Sequence, residues 1–491
     1  MNSLVLLVVL PLFAAFAIPV IARFSHKLAL FTGPVVLCIN LLLIMSAWIK
    51  VGRGAQAIFL GGFLPPVGIV FYIDHFSLMF SGLIAGMLLV VWPWDAKESR
   101  LYSLYMLLAA ASFGLVLSAD LFNLYVFYEL LAVATYGIIA ASPISKVPNS
   151  SATAVSLRYL FVSSAGSVML LLGIAIIYTL TGTLNIAHLA TLSRDLHGFA
   201  GLSAFALIAI GAGVKAEMFP VNSWVAEVYG TIPRQLSALL AGLISKLAVI
   251  LIIRVLLMMF QQQAAFDLLL VVGMLGVISG EMVAWRAKDM IRMLSFSSIA
   301  QLGLIFIAFS IAGSKGLWIG MALMLHHLLV KGGLFLMADR FAGHMDKLKG
   351  LAKHSPMAAA VFLVFVLSLL GVPPFPGFWI KLLLILNLAE QGGGLYHVAI
   401  GIILLATVIE TAYIFKFVRI LYQKADADST PINKNYSSSY TFAKIFALLL
   451  LISMVFVSPI SHRLKDMANH AASPHIYINN IMPVKQLGDR S

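Results

Sequence analysis

Residues 211–246 read GAGVKAEMFPVNSWVAEVYGTIPRQLSALLAGLISK and place two lysines and a helix-breaking proline inside an otherwise apolar region of membrane length. Lys215 closes one apolar run, Pro220 interrupts that run, and Lys246 falls about ten residues into the next, roughly 15 Å along a helix. That depth is near the midplane of a hydrocarbon core about 30 Å thick. A lysine there costs at least about 2.5 kcal/mol, so it persists only where it is paired, hydrated or used. A snorkelling Lys215 and a static ion pair at Lys246 are the structural alternatives to an ion path. The proline favours a path, because broken backbone at membrane depth is tolerated only against protein or a water-filled cavity.

The surrounding chain has the composition of a polytopic membrane protein: 61% of residues are hydrophobic and 10% charged, with a mean hydropathy of +1.01. The net charge of +13 sits mostly in short loops between apolar runs, where it sets orientation and does not point to nucleic acid. With one cysteine, Cys38, the chain alone builds no disulfide framework, iron–sulfur cluster or structural zinc site; no cofactor and no metal is expected. The apolar run from Leu4 lacks a basic leader segment and reads as a retained first helix.

Runs of spanning length fall near 3–22, 29–49, 72–94, 101–118, 121–141, 156–181, 200–218, 236–259, 265–285, 291–313, 316–338, 356–388, 397–421 and 442–460. The expected fold is therefore an all-α polytopic membrane protein of about fourteen transmembrane helices, a single membrane domain over 1–491. The seventh and twelfth helices are expected to be broken, by Pro220 and by Pro373, Pro374 and Pro376 in GVPPFPGFWIK. Helices 4–8 (101–259) and 9–13 (265–421) repeat an order of charged and proline-broken helices, and five helices per unit require inverted repeats. Residues 461–491 form a C-terminal tail too polar to span. Odd-numbered loops hold about eighteen Lys and Arg residues against roughly five in even-numbered ones, so odd loops, with Lys347 and Lys353 among them, are expected in the cytoplasm. Both termini then face the non-cytoplasmic side of the plasma membrane.

Charged residues within the runs are Glu129, Lys215, Lys246, Glu281, Lys331, Lys381, Glu410 and Lys416, with His326 and His327 one turn before Lys331. A carboxylate within about 4–6 Å keeps a buried lysine protonated, and its withdrawal releases the proton, so mixed signs at similar depth suit a proton relay. The relay candidates are Glu129, Lys215, Lys246, His326, His327, Lys331, Lys381 and Glu410, with Glu129 and Lys215 as the first expected pair. Glu281 and Lys416 lie close enough to helix ends to snorkel, and the histidines are alternatively satisfied core residues. Asp120 reads as an N-cap for the fifth helix.

At these residues the chain resembles the antiporter-like membrane subunits shared by complex I, Mrp-type cation/proton antiporters and energy-converting membrane hydrogenases, and is most similar to the D-type subunit of the Mrp antiporter. The resemblance rests on ADLFNLYVFYEL (119–130), TGTLNIAHLA (181–190), VKAEMFPVNSW (214–224), SALLAGLISK (237–246), KDMIRMLSFSSIAQLG (288–303), HHLLVKGGLFL (326–336) and GVPPFPGFWIK (371–381). It implies fourteen helices with two inverted five-helix units, Glu129 as the fifth-helix glutamate, and relay lysines at Lys215, Lys246 and Lys381. Departures are Leu323 where a histidine is usual, VAE at 225–227 where LPD or LPR is usual, and Glu281 where a small or apolar residue is expected.

The function implied is translocation of protons, with sodium as a candidate coupled ion, by a subunit that works with other membrane subunits in a lipid bilayer. The host is either a cation/proton antiporter or a proton-pumping NADH:quinone oxidoreductase or membrane hydrogenase. The chain holds no nucleotide fingerprint, cluster ligands or flavin site, so redox chemistry in such a host belongs to partner chains. A self-contained solute transporter is the competing class, but it would gather its polar residues around one pocket.

Overall fold

A computed structural model describes residues 3–52, 54–142, 152–340, 349–424 and 438–482. Lys347, the loop residues 425–437 and the last part of the predicted tail, 483–491, lie outside the described residues.

The chain begins with α1 (Leu6–Phe24) and α2 (His26–Val51), separated only at Ser25, whose hydroxyl caps the start of α2 by accepting from Leu28 N. A two-stranded antiparallel hairpin follows, β1 (Gln56–Phe59) and β2 (Val70–Ile73). This departs from the predicted all-helical pattern, in which a helix began near residue 72. The aromatic and β-branched run VFYI favours a strand, and Asp74 with Ser77 forms a capping box that starts α3 (His75–Val90) only afterwards. Next come α4 (Ser99–Leu117), α5 (Leu121–Ala141), α6 (Ala152–Thr181), the short α7 (Ile186–Thr191) and α8 (Phe199–Gly213).

Beyond the break at 214–224 lie α9 (Val225–Thr231), α10 (Arg234–Leu239), a π-helical turn at Leu240–Ile244 and α11 (Ser245–Met259). The remainder comprises α12 (Gln263–Arg286), α13 (Met290–Phe309), α14 (Gly313–Arg340), α15 (Leu351–His354), α16 (Pro356–Leu370), α17 (Pro376–Gln391), α18 (Gly394–Tyr422), α19 (Ser438–Val455), α20 (Val457–Ala471) and α21 (Pro474–Ile481).

Every predicted apolar run holds a helix. Among the described residues ten helices are long and apolar enough to cross a membrane, or eleven counting α19 with α20, which are bent by 90°. His75–Val90, Phe199–Gly213 and Pro356–Leu370 are apolar but shorter. The outward faces carry large apolar side chains, such as Phe13 and Phe16 on α1 and Phe415 on α18, as a lipid-facing surface should. The protein is a multi-pass membrane protein.

The two breaks differ from expectation in detail. α8 stops at Gly213, several residues before Pro220, and irregular backbone continues to Trp224. α16 stops at Leu370 with the left-handed Gly371 (φ 76°) as its C-cap. Pro373 and Pro374 occupy the gap, but Pro376 does not break a helix. It stands in the first turn of α17, where a proline needs no N–H partner.

The chain packs as two compact units: Met1–Ala216 with Lys246–Ala265 and Met467–Ser491, and Glu217–Ser245 with Phe266–Asp466. In the first, α6 and α8 meet backbone to backbone at Gly166 and Gly211, where a Cβ on Gly211 would lie 2.5 Å from the Gly166 carbonyl oxygen. Small residues permit that approach, which is how helices gain packing without a hydrophobic drive between them. In the second, Gly273 and Gly303 bring α12 and α13 together in the same way.

Candidate ion-translocation site

In the first unit, Asp120 caps α5 by accepting from Asn123 N at 2.9 Å, as its sequence position suggested. Two turns on, the buried Tyr128 donates its hydroxyl to the Gly211 carbonyl of α8 at 3.1 Å. α8 ends just beyond, and Lys215, 1% exposed, sets its ammonium 3.5 Å from the centroid of the Tyr128 ring. A desolvated cation over a ring is worth about 2 kcal/mol.

Glu129 accepts a hydrogen bond from Ser167 of α6. The expected Glu129–Lys215 ion pair is therefore not closed, and the lysine ammonium has no hydrogen-bond partner among the described residues. Neighbouring helical positions point about 100° apart, so when Tyr128 reaches α8 its neighbour Glu129 is turned aside. The two charges still interact electrostatically. Lys246 is buried at the start of α11, and two turns along that helix the buried Arg254 donates to the Ser118 carbonyl at 2.6 Å.

The second unit holds a denser set. On α14, His326 Nε2 lies 2.9 Å from Ser368 Oγ of α16, while His327 Nε2 lies 3.3 Å from Ser298 Oγ of α13. The same 100° offset sends the two imidazoles to different helices. One turn further, the fully buried Lys331 donates to Ser297 Oγ at 2.6 Å. Lys381 of α17 donates to Glu410 Oε2 of α18 at 2.8 Å and to the Leu369 carbonyl at 2.9 Å, one of the last carbonyls of α16. The other Glu410 oxygen accepts from Gln301 Nε2 of α13 at 3.0 Å. One polar stripe of α13, Ser297, Ser298 and Gln301, thus touches lysine, histidine and carboxylate in turn.

Several participants escaped the sequence reading. Glu217, 1% exposed, accepts from Tyr229 of α9 at 2.7 Å and from Ser298 at 2.8 Å. It has φ 55°, the one positive φ among the described non-glycine residues, a backbone state costing on the order of 1–3 kcal/mol. Arg254, inside an otherwise apolar run, was also passed over. Glu281 is corrected: it does not snorkel but is 3% exposed and interacts with Glu410, Lys331 and Lys381. Lys416 is exposed. Among the described residues no cluster of three or more His, Cys, Asp or Glu side chains is arranged to hold a metal ion.

Such an arrangement suits proton movement. Lysine, imidazole and carboxylate bind protons, while hydroxyls both donate and accept, so a hydroxyl between two of them passes a proton without keeping it.

Known proteins resemble this chain in sequence and, where a solved structure is compared, in architecture. Residues 118–410 match the family described as NADH:quinone oxidoreductase/Mrp antiporter, TM. The N-type subunit of the NADH-quinone oxidoreductase of Desulforudis audaxviator (strain MP104C) is 29% identical over 86% of this chain and 86% of its own. The D-type subunit of the Na(+)/H(+) antiporter of Alkalihalophilus pseudofirmus is 30% identical over 79% of this chain and 80% of its own. A chain in the structure of the membrane-bound sulfane sulfur reductase (MBS), an archaeal respiratory membrane complex, superposes with a TM-score of 0.86 at 28% identity, covering 98% of this chain and 100% of that one. By the extent of the family match and the level of these identities, the chain belongs to the NADH:quinone oxidoreductase/Mrp antiporter transmembrane family.

Proposed function

We propose that this chain is the proton-translocating membrane subunit of a hetero-oligomeric complex, with sodium as a candidate coupled ion. The observation that carries the reading is the set of buried titratable groups gathered around α13 in the second unit: His327 at Ser298, Lys331 at Ser297, and Glu410 at Gln301 with Lys381 paired to it. So many buried charges are too costly to persist in an inert anchor. Glu129, Lys215 and Lys246 are assigned to the half-path of the first unit, and His326, His327, Lys331, Lys381 and Glu410 to that of the second. The chain is read as two inverted five-helix repeats at 101–259 and 265–421, and both chain termini face the non-cytoplasmic side.

In the resting arrangement Glu410 neutralises Lys381 while Gln301 holds its second oxygen. Protonation of Glu410 removes that neutralising charge and frees Lys381 to pass a proton on. The relatives named above are subunits of an Na(+)/H(+) antiporter, an NADH-quinone oxidoreductase and a respiratory reductase complex. An antiporter host, in which proton entry drives sodium export, is the preferred reading; a redox-driven pump is the alternative.

Glu129→Ala and Lys246→Ala, each in the assembled complex, should abolish proton translocation in vesicles without loss of assembly on a native gel. Normal pumping by both variants would refute the proposal. Mass spectrometry of the co-purifying chains decides the host: small membrane proteins alone mark an antiporter, whereas flavin or iron–sulfur subunits mark a redox pump.

A further inference from the structure

We infer that Glu217 is a further proton-binding carboxylate of the second half-path, loaded from His327 through Ser298; this rests on the proton-translocating reading above. The geometry is continuous: His327 Nε2 to Ser298 Oγ is 3.3 Å, and Ser298 Oγ to Glu217 Oε2 is 2.8 Å. An imidazolium at His327 gives its Nε2 proton to the Ser298 oxygen as the serine hydroxyl gives its own proton to Oε2. Histidine ends neutral, glutamate ends as the neutral acid, and the serine is unchanged after its hydroxyl turns back.

Three features distinguish this carboxylate from a structural hydrogen-bond acceptor. It is buried inside the break between α8 and α9, and an ionisable side chain buried in a membrane protein is functional by default. Tyr229 already holds its first oxygen at 2.7 Å, so Ser298 meets a carboxylate fixed in place. Its backbone is left-handed, a state glycine would adopt at no cost, yet the position carries a glutamate. Strain retained at a polar site inside a packed core marks a position whose side chain is needed. Titratable groups around it include Tyr229 from α9 and His327 and Lys331 from α14, the last interacting with Glu217 through its field.

The test uses the whole complex in proteoliposomes, with Glu217→Gln, Glu217→Gly, Glu217→Asp and Lys246→Ala compared in parallel. Glutamine keeps the shape without the proton site, glycine suits the left-handed backbone, and aspartate keeps the carboxylate. The expected result is assembly of all four, a fall of about 100-fold in translocation for the Gln and Gly variants, and measurable flux with Asp. In infrared difference spectra between acidic and alkaline medium, the carbonyl band of a protonated carboxylic acid should weaken in Glu217→Gln. Should Glu217→Gln fail to assemble, Glu217→Gly decides in its place. Wild-type flux in either variant, or an unchanged carboxyl band, would overturn the assignment. If Lys246→Ala is silent while Glu217→Gln pumps, the assignment of Glu217 alone falls; if Lys246→Ala and Glu129→Ala also pump normally, the reading beneath it falls too.

Discussion

Lys381→Met should destabilise the second unit by about 3–5 kcal/mol, because it leaves the Glu410 carboxylate buried without its cation. Glu410 is 1% exposed and Lys381 8%, so water cannot replace the missing partner. The double variant Lys381→Met with Glu410→Leu removes both charges, and well-packed apolar replacements of a buried pair are often neutral or stabilising. It should recover most of the lost stability, short of the Gln301 amide and the Leu369 carbonyl that lose their partners. Translocation should be absent from both variants. Unfolding of the purified complex in detergent, followed by heat or denaturant, measures the first effect, and vesicle flux the second. A double variant no more stable than the single one would mean that the pair contributes through packing and not through charge neutralisation.

Gly211→Leu acts at the opposite kind of site, one with no charge. A Cβ there would meet the Gly166 carbonyl oxygen at 2.5 Å and Leu170 N at 2.6 Å, both backbone atoms that cannot step aside. The leucine must push α6 from α8, with an overpacking cost of about 1–3 kcal/mol. The same displacement moves the Gly211 carbonyl that Tyr128 holds at 3.1 Å, and with it the ring beneath the Lys215 ammonium. Flux should fall although every charged side chain is intact. Wild-type flux together with a wild-type unfolding temperature in Gly211→Leu would show that the spacing of α6 and α8 does not matter to the lysine.

The helices were legible because a bilayer imposes one length scale, and the lysines because each is expensive where it stands. Lys331, Lys381 and Glu410 could be named from the chain alone for that reason. Their partners could not. Gln301 meets Glu410 across 109 residues of sequence, and Ser297 and Ser298 are small neutral residues that cost little in a helix and so leave no trace in a charge count. Glu217 stood in plain view in KAEMFP, but its role depends on a backbone turn that no periodicity reveals. Glu129 and Lys215 interact without touching for a related reason: depth can be read from a run, but azimuth cannot, and Tyr128 takes the position facing the lysine. The β hairpin was missed because VFYI continues into an apolar stretch after only the short polar interruption at Asp74 and His75.

The break between α16 and α17 also has an electrical meaning. The two helices are 15 and 16 residues long, so each rises about 22–24 Å and neither alone matches a hydrocarbon core of about 30 Å. Lys381 stands at the sixth position of α17, close to the gap between them. A proton that reaches it from either surface has crossed only part of the membrane voltage. A full crossing of one elementary charge is worth about 2.3 kcal/mol per 100 mV, and a stop part-way divides that between two steps. Membrane potential then acts on loading and on release separately, so the rate of each half should rise or fall gently with voltage while the complete cycle carries the whole charge.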